Sequence, residues 1–553
     1  MADRRSGASR PPARPGCPAG AASHGNDDWN QIDWDKVERD VRRLQVRIAK
    51  ATKEGRWGKV RALQHLLTRS FSGKTFAVRR VTGNRGRRTP GVDGETWELP
   101  ERKMKAVHQL RQRGYRPRPL RRVYIGKRGT TAMRPLGIPT MKDRAMQALH
   151  LLALSPVAET TGDESSYGFR PERSAADAMM RCYTILAKKR SAQWILEGDI
   201  KSCFDRLSHE WLLDHVPMDR AILGKWLKAG FLDKSVLYPT EEGTPQGGII
   251  SPVLANMALD GLQRALRERF PGLHNGGATH RVHLVRYADD FIVSGDTKEV
   301  LQDEVKPLVE RFLAERGLEL SPTKTVITHI EDGFDFLGQT VRKYNGKYIS
   351  RPSKKALCAF LRELRKVVRE HAGPAGELVR KLNPMIRGWA YYHRHAASSA
   401  TFSYVDSMIW KALWRWSTRQ HPHKGRRWVA RKYFRTRAGR QWVFTGQVDG
   451  REGKQWLGIF LAKSVPIRRH ALIQGRANPF DPEWQVYFQA RRSRARAEAY
   501  HDRHRHHRGL LEALDRGLEP TPSPWRTRIA APFWQQSGSR GLSRMPGNWH
   551  VRF

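Results

Sequence analysis

The sequence predicts an α+β chain of several domains, in which a mixed α/β body is followed by long basic helices. Three observations predict it. At 553 residues the chain is far longer than one ordinary domain. Helical and strand patterns alternate through residues 120–350, as expected where helices pack on a sheet. From about Ser353 that alternation gives way to helical periodicity rich in Lys and Arg.

Taken in order, residues 1–27 are rich in Pro, Gly, Ala and Arg without periodicity and are expected to form a disordered leader. Over 35–52, Val37, Val41, Leu44 and Ile48 fall at helical spacing, with Asp35 and Glu38 as a capping pair; a second short helix covers 60–67. A helix at 141–154 is apolar on one face, and residues 193–199 read as a buried strand ending in Asp199. Residues 284–294 read as two apolar runs joined by Ala288, Asp289 and Asp290, a hairpin with both carboxylates at its turn. A further helix around 312–320 ends at Gly317. Long basic helices are expected at 354–371, 376–395 and 402–420, the first two parted by Gly373 and Pro374. Strand-like runs at 441–446 and 456–461 mark another piece over 424–490, and from Arg491 an Arg/His-rich stretch leads to a Pro/Gly/Ser-rich end.

The formal charge of +47 means a surface that repels itself and needs a polyanion. Nucleic acid answers that need, because each neutralised phosphate releases counterions. The Arg-dense loop at 84–94 suits such a surface, although an ordinary turn-rich connector fits it too. A membrane surface would call for a basic helix with one clean apolar face, whereas the basic residues here are spread along the chain. No apolar run reaches bilayer length, and the first residues lack the apolar stretch of a secretory signal. Cys17, Cys182, Cys203 and Cys358 are scattered, without the spacing of a zinc site, so reduced thiols in a cytoplasmic protein are expected.

The puzzle is why acids sit inside apolar strands of so basic a protein. Burying the adjacent carboxylates of Asp289 and Asp290 without cations is costly. Together with Asp199 they are candidates to hold two Mg²⁺ ions roughly 3.5–4 Å apart, the arrangement used for in-line phosphoryl transfer. Oxygen donors alone favour Mg²⁺ over Zn²⁺. Each piece also has a plain reading: Tyr-Ala-Asp-Asp recurs by chance, adjacent acids in turns are usually solvated, and Asp199 alone is compatible with a strand-end cap.

The order of the motifs decides between them. Residues 199–205 (Asp-Ile-Lys-Ser-Cys-Phe-Asp) and 287–290 (Tyr-Ala-Asp-Asp) resemble the carboxylate motifs of reverse transcriptases. Between them, 244–252 (Thr-Pro-Gln-Gly-Gly-Ile-Ile-Ser-Pro) resembles the strip lining that family's nucleotide pocket. Upstream, 134–140 (Arg-Pro-Leu-Gly-Ile-Pro-Thr) and 166–171 (Ser-Tyr-Gly-Phe-Arg-Pro) resemble fingers motifs of reverse transcriptases encoded by group II introns. Downstream, 320–325 (Leu-Ser-Pro-Thr-Lys-Thr) and 336–338 (Phe-Leu-Gly) complete the palm series, and 386–393 (Ile-Arg-Gly-Trp-Ala-Tyr-Tyr-His) is similar to the thumb or maturase domain. So many motifs in one order, over roughly residues 29–490, exclude coincidence.

The resemblance implies a right-hand polymerase: N-terminal extension and start of fingers at 28–118, fingers and palm at 119–345, helical thumb or maturase domain at 346–423, a DNA-binding region at 424–490 and a basic, disordered tail at 491–553. It implies RNA-directed DNA synthesis with two Mg²⁺ ions, coupled to splicing and mobility of a group II intron. The partners would be intron RNA, an RNA template with its DNA primer, target DNA and dNTPs, in a bacterial cytoplasmic ribonucleoprotein with no membrane role. Asp199, Asp289 and Asp290 match the catalytic metal ligands, with the Ile200 carbonyl as a minor addition. Phe204 matches the steric gate against a ribose 2′-hydroxyl, and Gln246 and Gly247 the strip under the incoming base pair. Lys127, Arg134 and, more loosely, Arg144 are candidates to clamp the triphosphate. Lys324 is expected near the site or in an ion pair with a motif acid. In the thumb, Trp389 and the cluster Trp410, Trp414 and Trp416 are read mainly as core, Tyr391 and Tyr392 as core or stacking residues, and Arg387 and Arg394 as RNA phosphate contacts. No cysteine follows Cys358, so the endonuclease domain of many members is not expected, and the tail reads as a flexible arm. Two alternatives stay open: a related enzyme recruited to defence or another host system, and an RNA-binding splicing factor without polymerase activity.

Overall fold

The computed structural model describes residues 28–126, 133–234, 236–244, 247–271, 279–437, 440–450 and 453–515. The expected leader, Lys127, Gln246 and residues 516–553 lie outside them. Three helices open the fold: Trp34–Lys53, Trp57–Arg69 and Phe71–Thr82. The first buries Val37, Val41, Leu44 and Ile48 on one face as its spacing predicts, but Asp33, not Asp35, caps it by accepting from the Lys36 N–H at 3.0 Å. All three pack on the helix Met141–Thr161. That helix is buried on nearly every side rather than on one face, because the helix Ser251–Leu259 also packs on it. A surface enclosed all round leaves little periodicity to read.

The central sheet is antiparallel, in the order His283–Tyr287, Asp290–Gly295, Trp194–Asp199, Val326–His329. Its alternate residues feed two cores. Leu196, Leu284, Phe291 and Val293 join the helical core of the N-terminal half, while Ile195, Val285 and Ile292 face Ala178, Cys182, Phe334 and Val341. Burial on both faces explains why these strands read as unbroken apolar runs. A second sheet pairs the hairpin Leu120–Gly126 and Met133–Ile138 with the short strands Phe231–Asp233 and Val236–Tyr238.

Beyond the central sheet come the helices Lys354–Glu370, Ala375–His393 and Ser399–Gln420. Trp389 is buried and stacks on Phe360 at 4.8 Å, and buried Trp416 donates its indole N–H to the His371 carbonyl at 3.0 Å. Tyr392 donates its hydroxyl to the Leu337 carbonyl at 2.9 Å. The expectation of core packing fails for Trp410, which is 38% exposed. After the helix Arg426–Tyr433, the strands Phe434–Arg437, Arg440–Gly450 and Gly453–Gly458 form a small antiparallel sheet against the thumb. The last of these stops at Gly458, short of the run expected to 461. Among the described residues no helix is long and apolar enough to cross a membrane.

The stretch expected to be a disordered tail from Arg491 begins instead inside the helix Gln485–Asp515, and its first turns are docked. Together with the preceding segment they form a strap. The Arg468 N–H donates to the Arg394 carbonyl at 3.0 Å, and Asp502 receives Arg394 and Arg468 at 2.7 and 3.0 Å. His470 and Arg491 reach Asp177 at 2.8 and 2.7 Å, Arg42 donates to the Pro479 carbonyl, and Lys53 pairs with Glu483 at 2.9 Å. Thumb, palm and N-terminal helices are thus tied by one segment. Asp177 is wholly buried. Burial alone would raise its pKa, but His470, Arg491 and Ser174 outweigh that and hold it at about 2. A depressed carboxyl pKa gives stability above the unfolded value that is lost as pH falls through the folded one. The stability gap between wild type and Asp177→Asn in urea unfolding should therefore narrow by about 2 kcal/mol from pH 5 to pH 2. A gap independent of pH would show that Asp177 is not held as a charged partner.

Candidate active site

Asp199 closes its strand directly across from Asp290, the first residue of the neighbouring strand. In the hairpin, Tyr287 pairs with Asp290, so only Ala288 and Asp289 make the turn. Such a tight turn needs positive φ, and Ala288 takes +58° despite its side chain. Two features hold it there. Residues 165–167 run along the hairpin, with the Tyr167 N–H donating to the Arg286 carbonyl and the Arg286 N–H to the Ser165 carbonyl, both at 2.9 Å. Gly168 then passes so close that a Cβ on it would lie 2.4 Å from the Ala288 nitrogen. The second feature is Arg286, whose side chain is fully buried: it pairs with Asp260 and donates to Asn256 Oδ1 at 3.2 Å and to the Ala288 carbonyl at 3.4 Å. Asn256 in turn donates to the Gly168 carbonyl at 2.8 Å.

Lys324 donates to Asp199 Oδ2 at 2.8 Å, the ion pair with a motif acid that was one of its two expected roles. The Lys201 N–H bonds the Glu319 carbonyl and the Ser321 N–H bonds the Asp199 carbonyl, which bracket a bridge between Ile200 and Leu320. In such a pair the carbonyl of Ile200 points away from Leu320. The Asp290 carboxyl is pushed up to about 7, first by burial and then by the charges of Asp289 and Asp199, with Lys324 opposing. These crowded oxygens with a shortage of cations fit a hard divalent ion. Among the described residues no three His, Cys, Asp or Glu side chains form a ready cage. Mg²⁺ keeps waters and binds through one or two carboxylates plus substrate phosphates, and Asp199, Asp289 and Asp290 are the side chains that would hold it.

Phe204 lies in the short helix Cys203–Arg206, half-buried, its ring edge-on to Phe169 at 6.3 Å. Its carbonyl accepts the Thr244 N–H at 2.6 Å, which brings the 244–252 strip beside it. Gly247, at φ +115°, presses on the fingers hairpin: a Cβ there would lie 2.4 Å from the Gly137 carbonyl oxygen. Arg134 is exposed on that hairpin, opposite Ile125.

Two expected contacts are overturned. Arg144 is buried, with donors on the carbonyls of Pro139, Gly86 and Thr89 at 2.9, 3.0 and 2.7 Å, so it latches the loop at 84–94 rather than a triphosphate. Arg394 is buried against Asp502, which takes its guanidinium out of reach of an RNA phosphate, whereas Arg387 is exposed with its guanidinium over Phe460 at 4.9 Å. The sequence reading missed Arg286, Asn256 and Asp260. The available signal was Arg286 itself, a lone charge in an apolar strand that required a buried partner.

Comparison with known proteins agrees with this geometry. The family described as reverse transcriptase (RNA-dependent DNA polymerase) matches residues 125–341, the N-terminal domain of reverse transcriptase 29–110, and the group II intron maturase-specific domain 357–434. Protein YkfC of Escherichia coli is 33% identical over 311 residues, covering 49% of this chain and 81% of YkfC. Group II intron-encoded protein LtrA of Lactococcus lactis is 31% identical over 339 residues, covering 50% of this chain and 56% of LtrA. An uncharacterised 91 kDa protein in the cob intron of Schizosaccharomyces pombe is 28% identical over 325 residues, 48% of this chain and 39% of that protein. The chain thus spans little more than half of LtrA. Central sheet, fingers hairpin and helical thumb are those of a right-hand polymerase, and the chain belongs to the group II intron-encoded reverse transcriptase/maturase family.

Proposed function

We propose that the chain is an RNA-directed DNA polymerase that acts with group II intron RNA and serves its splicing and mobility, as a cytoplasmic ribonucleoprotein. The observation that carries this is the register of Asp199 against Asp290 beside Asp289, with the Asp290 carboxyl pushed up to about 7 by burial and by the charges of Asp289 and Asp199. Asp199, Asp289, Asp290 and the Ile200 carbonyl would hold two Mg²⁺ ions, which supply activation of a 3′-hydroxyl and neutralisation of the departing pyrophosphate. The chain's own groups do the rest. Lys324 holds the Asp199 carboxylate in place through its 2.8 Å contact. Phe204 excludes a 2′-hydroxyl, the Gln246–Gly247 strip supports the new base pair, and Lys127 and Arg134 meet the triphosphate of a dNTP. Arg387 contacts RNA phosphate, and the region 424–490 receives target DNA.

The test is extension of a DNA primer on an RNA template by the purified chain with dNTPs and Mg²⁺. Full-length product is expected; RNA binding without extension would leave a splicing factor instead. Phe204→Ala should admit ribonucleotides by removing the ring, raising their use relative to dNTPs by about tenfold or more. An unchanged ratio would remove Phe204 from the gate.

A further inference from the structure

Four tryptophans are exposed on one small unit, the thumb helix Ser399–Gln420 with the helix and sheet that follow it. Trp410, Trp428, Trp442 and Trp456 are each 38–50% exposed. Cations lie on them: Arg435 over Trp456 at 3.6 Å and Lys432 over Trp428 at 4.9 Å. One of the four is also strained. Trp442 sits in the strand Arg440–Gly450 at φ +61°, a conformation that disfavours any bulky side chain and that asparagine or glycine adopts more readily. Strain kept in a surface residue calls for a use.

Trp442 walls a cavity of about 230 Å³ at the point where the next strand parts from its own. The Ile459 N–H still bonds the Phe444 carbonyl at 2.9 Å, but residues 459–461 then turn away, and the gap is lined by Trp410, Leu413, Trp442, Phe460 and Asp406. Trp410 and Trp414 stack on each other at 5.6 Å and 8°, and Trp442 stands against them at 66° and 59°. The space is smaller than the roughly 300–1,000 Å³ of a drug-sized pocket, so it suits one planar ring system. An aromatic wall also attracts organic cations. Here Arg440 at the lining, with Lys411 and Arg415 exposed on the same helix as Trp410, weighs against a cation and favours a ring carried on an anionic backbone.

We infer that Trp442 and Trp410 form a stacking site for an unpaired base of RNA. Single-stranded RNA is recognised in this way, by splayed bases on aromatic faces beside basic groups. RNA is assigned over DNA because Trp410, Trp414 and Asp406 lie in the segment matching the maturase-specific domain; Trp442 itself stands beyond it, in the region proposed to receive target DNA, and the single-stranded DNA arm of the test separates the two. The inference rests on the reading of the chain as an RNA-binding polymerase.

Two variants of the full-length protein test it. Trp442→Asn removes the ring while accepting the positive φ, and Trp442→Phe restores a smaller ring. Binding is read for a short single-stranded RNA, the same sequence as duplex RNA, and the single-stranded DNA, at salt high enough to suppress non-specific phosphate contact. Trp442→Asn should weaken single-stranded RNA about tenfold, and Trp442→Phe less, with duplex binding unchanged. The slope of log affinity against log salt should not change, because no phosphate contact is lost. Equal binding by Trp442→Asn and wild type overturns the inference, as does equal loss on single strand and duplex. A loss confined to DNA overturns the RNA assignment. Wild-type protein that binds no RNA at all overturns the proposed function instead.

Discussion

Asp289→Ala is expected to lower single-turnover primer extension by a thousandfold or more, on the order of what removal of a charge-stabilising group costs in comparable sites. RNA affinity should be unchanged, because Asp289 lies at the turn of a strand hairpin in the central sheet and not on the thumb helices. Asp199→Ala should act alike but also free Lys324, leaving a cation where a ligand stood. Extension within tenfold of wild type in either variant would sink the assignment of the acids. A loss of RNA binding in parallel would point to a fold defect.

The second large effect is expected at Arg286, which touches no substrate. Arg286→Leu leaves the Asp260 carboxylate buried without its closest cation and should cost roughly 3–5 kcal/mol of stability. Arg286→Lys separates positioning from stability. It keeps the charge for Asp260 but cannot span Asp260, Asn256 and the Ala288 carbonyl at once. A displacement of about 1 Å in the turn should then lower kcat about a hundredfold. KM for dNTP should change little, since the nucleotide contacts lie on other elements. If Arg286→Lys melts like wild type and polymerises like wild type, the brace has no bearing on Asp289.

What could be read in advance follows from how local each cause is. The hairpin carrying Asp289 and Asp290 was legible because acids between apolar runs have few explanations, and the first helix because Val37, Val41, Leu44 and Ile48 repeat at its period. Arg394 was not legible, because its partner Asp502 is 108 residues away and nothing nearby distinguishes an arginine bound for solvent from one bound for a buried acid. Arg144 misled for a related reason: three backbone carbonyls, two from the loop at 84–94 and one from Pro139, converge on it, and carbonyls leave no trace in a sequence. The tryptophan cluster shows the limit of approximate spacing. Trp410 and Trp414 are one turn apart on one face, while two further residues, about 200° of rotation, carry Trp416 to the opposite side and into the core.

The strap sets a schedule for how the protein is made. Arg42 finds its acceptor at Pro479, 437 residues later in the chain. A ribosome adding about 5–20 residues per second takes roughly 20–90 s to deliver that carbonyl. Through that interval the opening helices have emerged and Met141–Thr161 has arrived to pack them, so the N-terminal half matures first. The central sheet completes next, when Val326–His329 joins it. The thumb follows, and the clasp across all three closes last. Every newly synthesised copy therefore passes through a stage in which palm and thumb exist but are not yet tied to the first helix. Closure depends on a segment that leaves the ribosome long after the helix it ties.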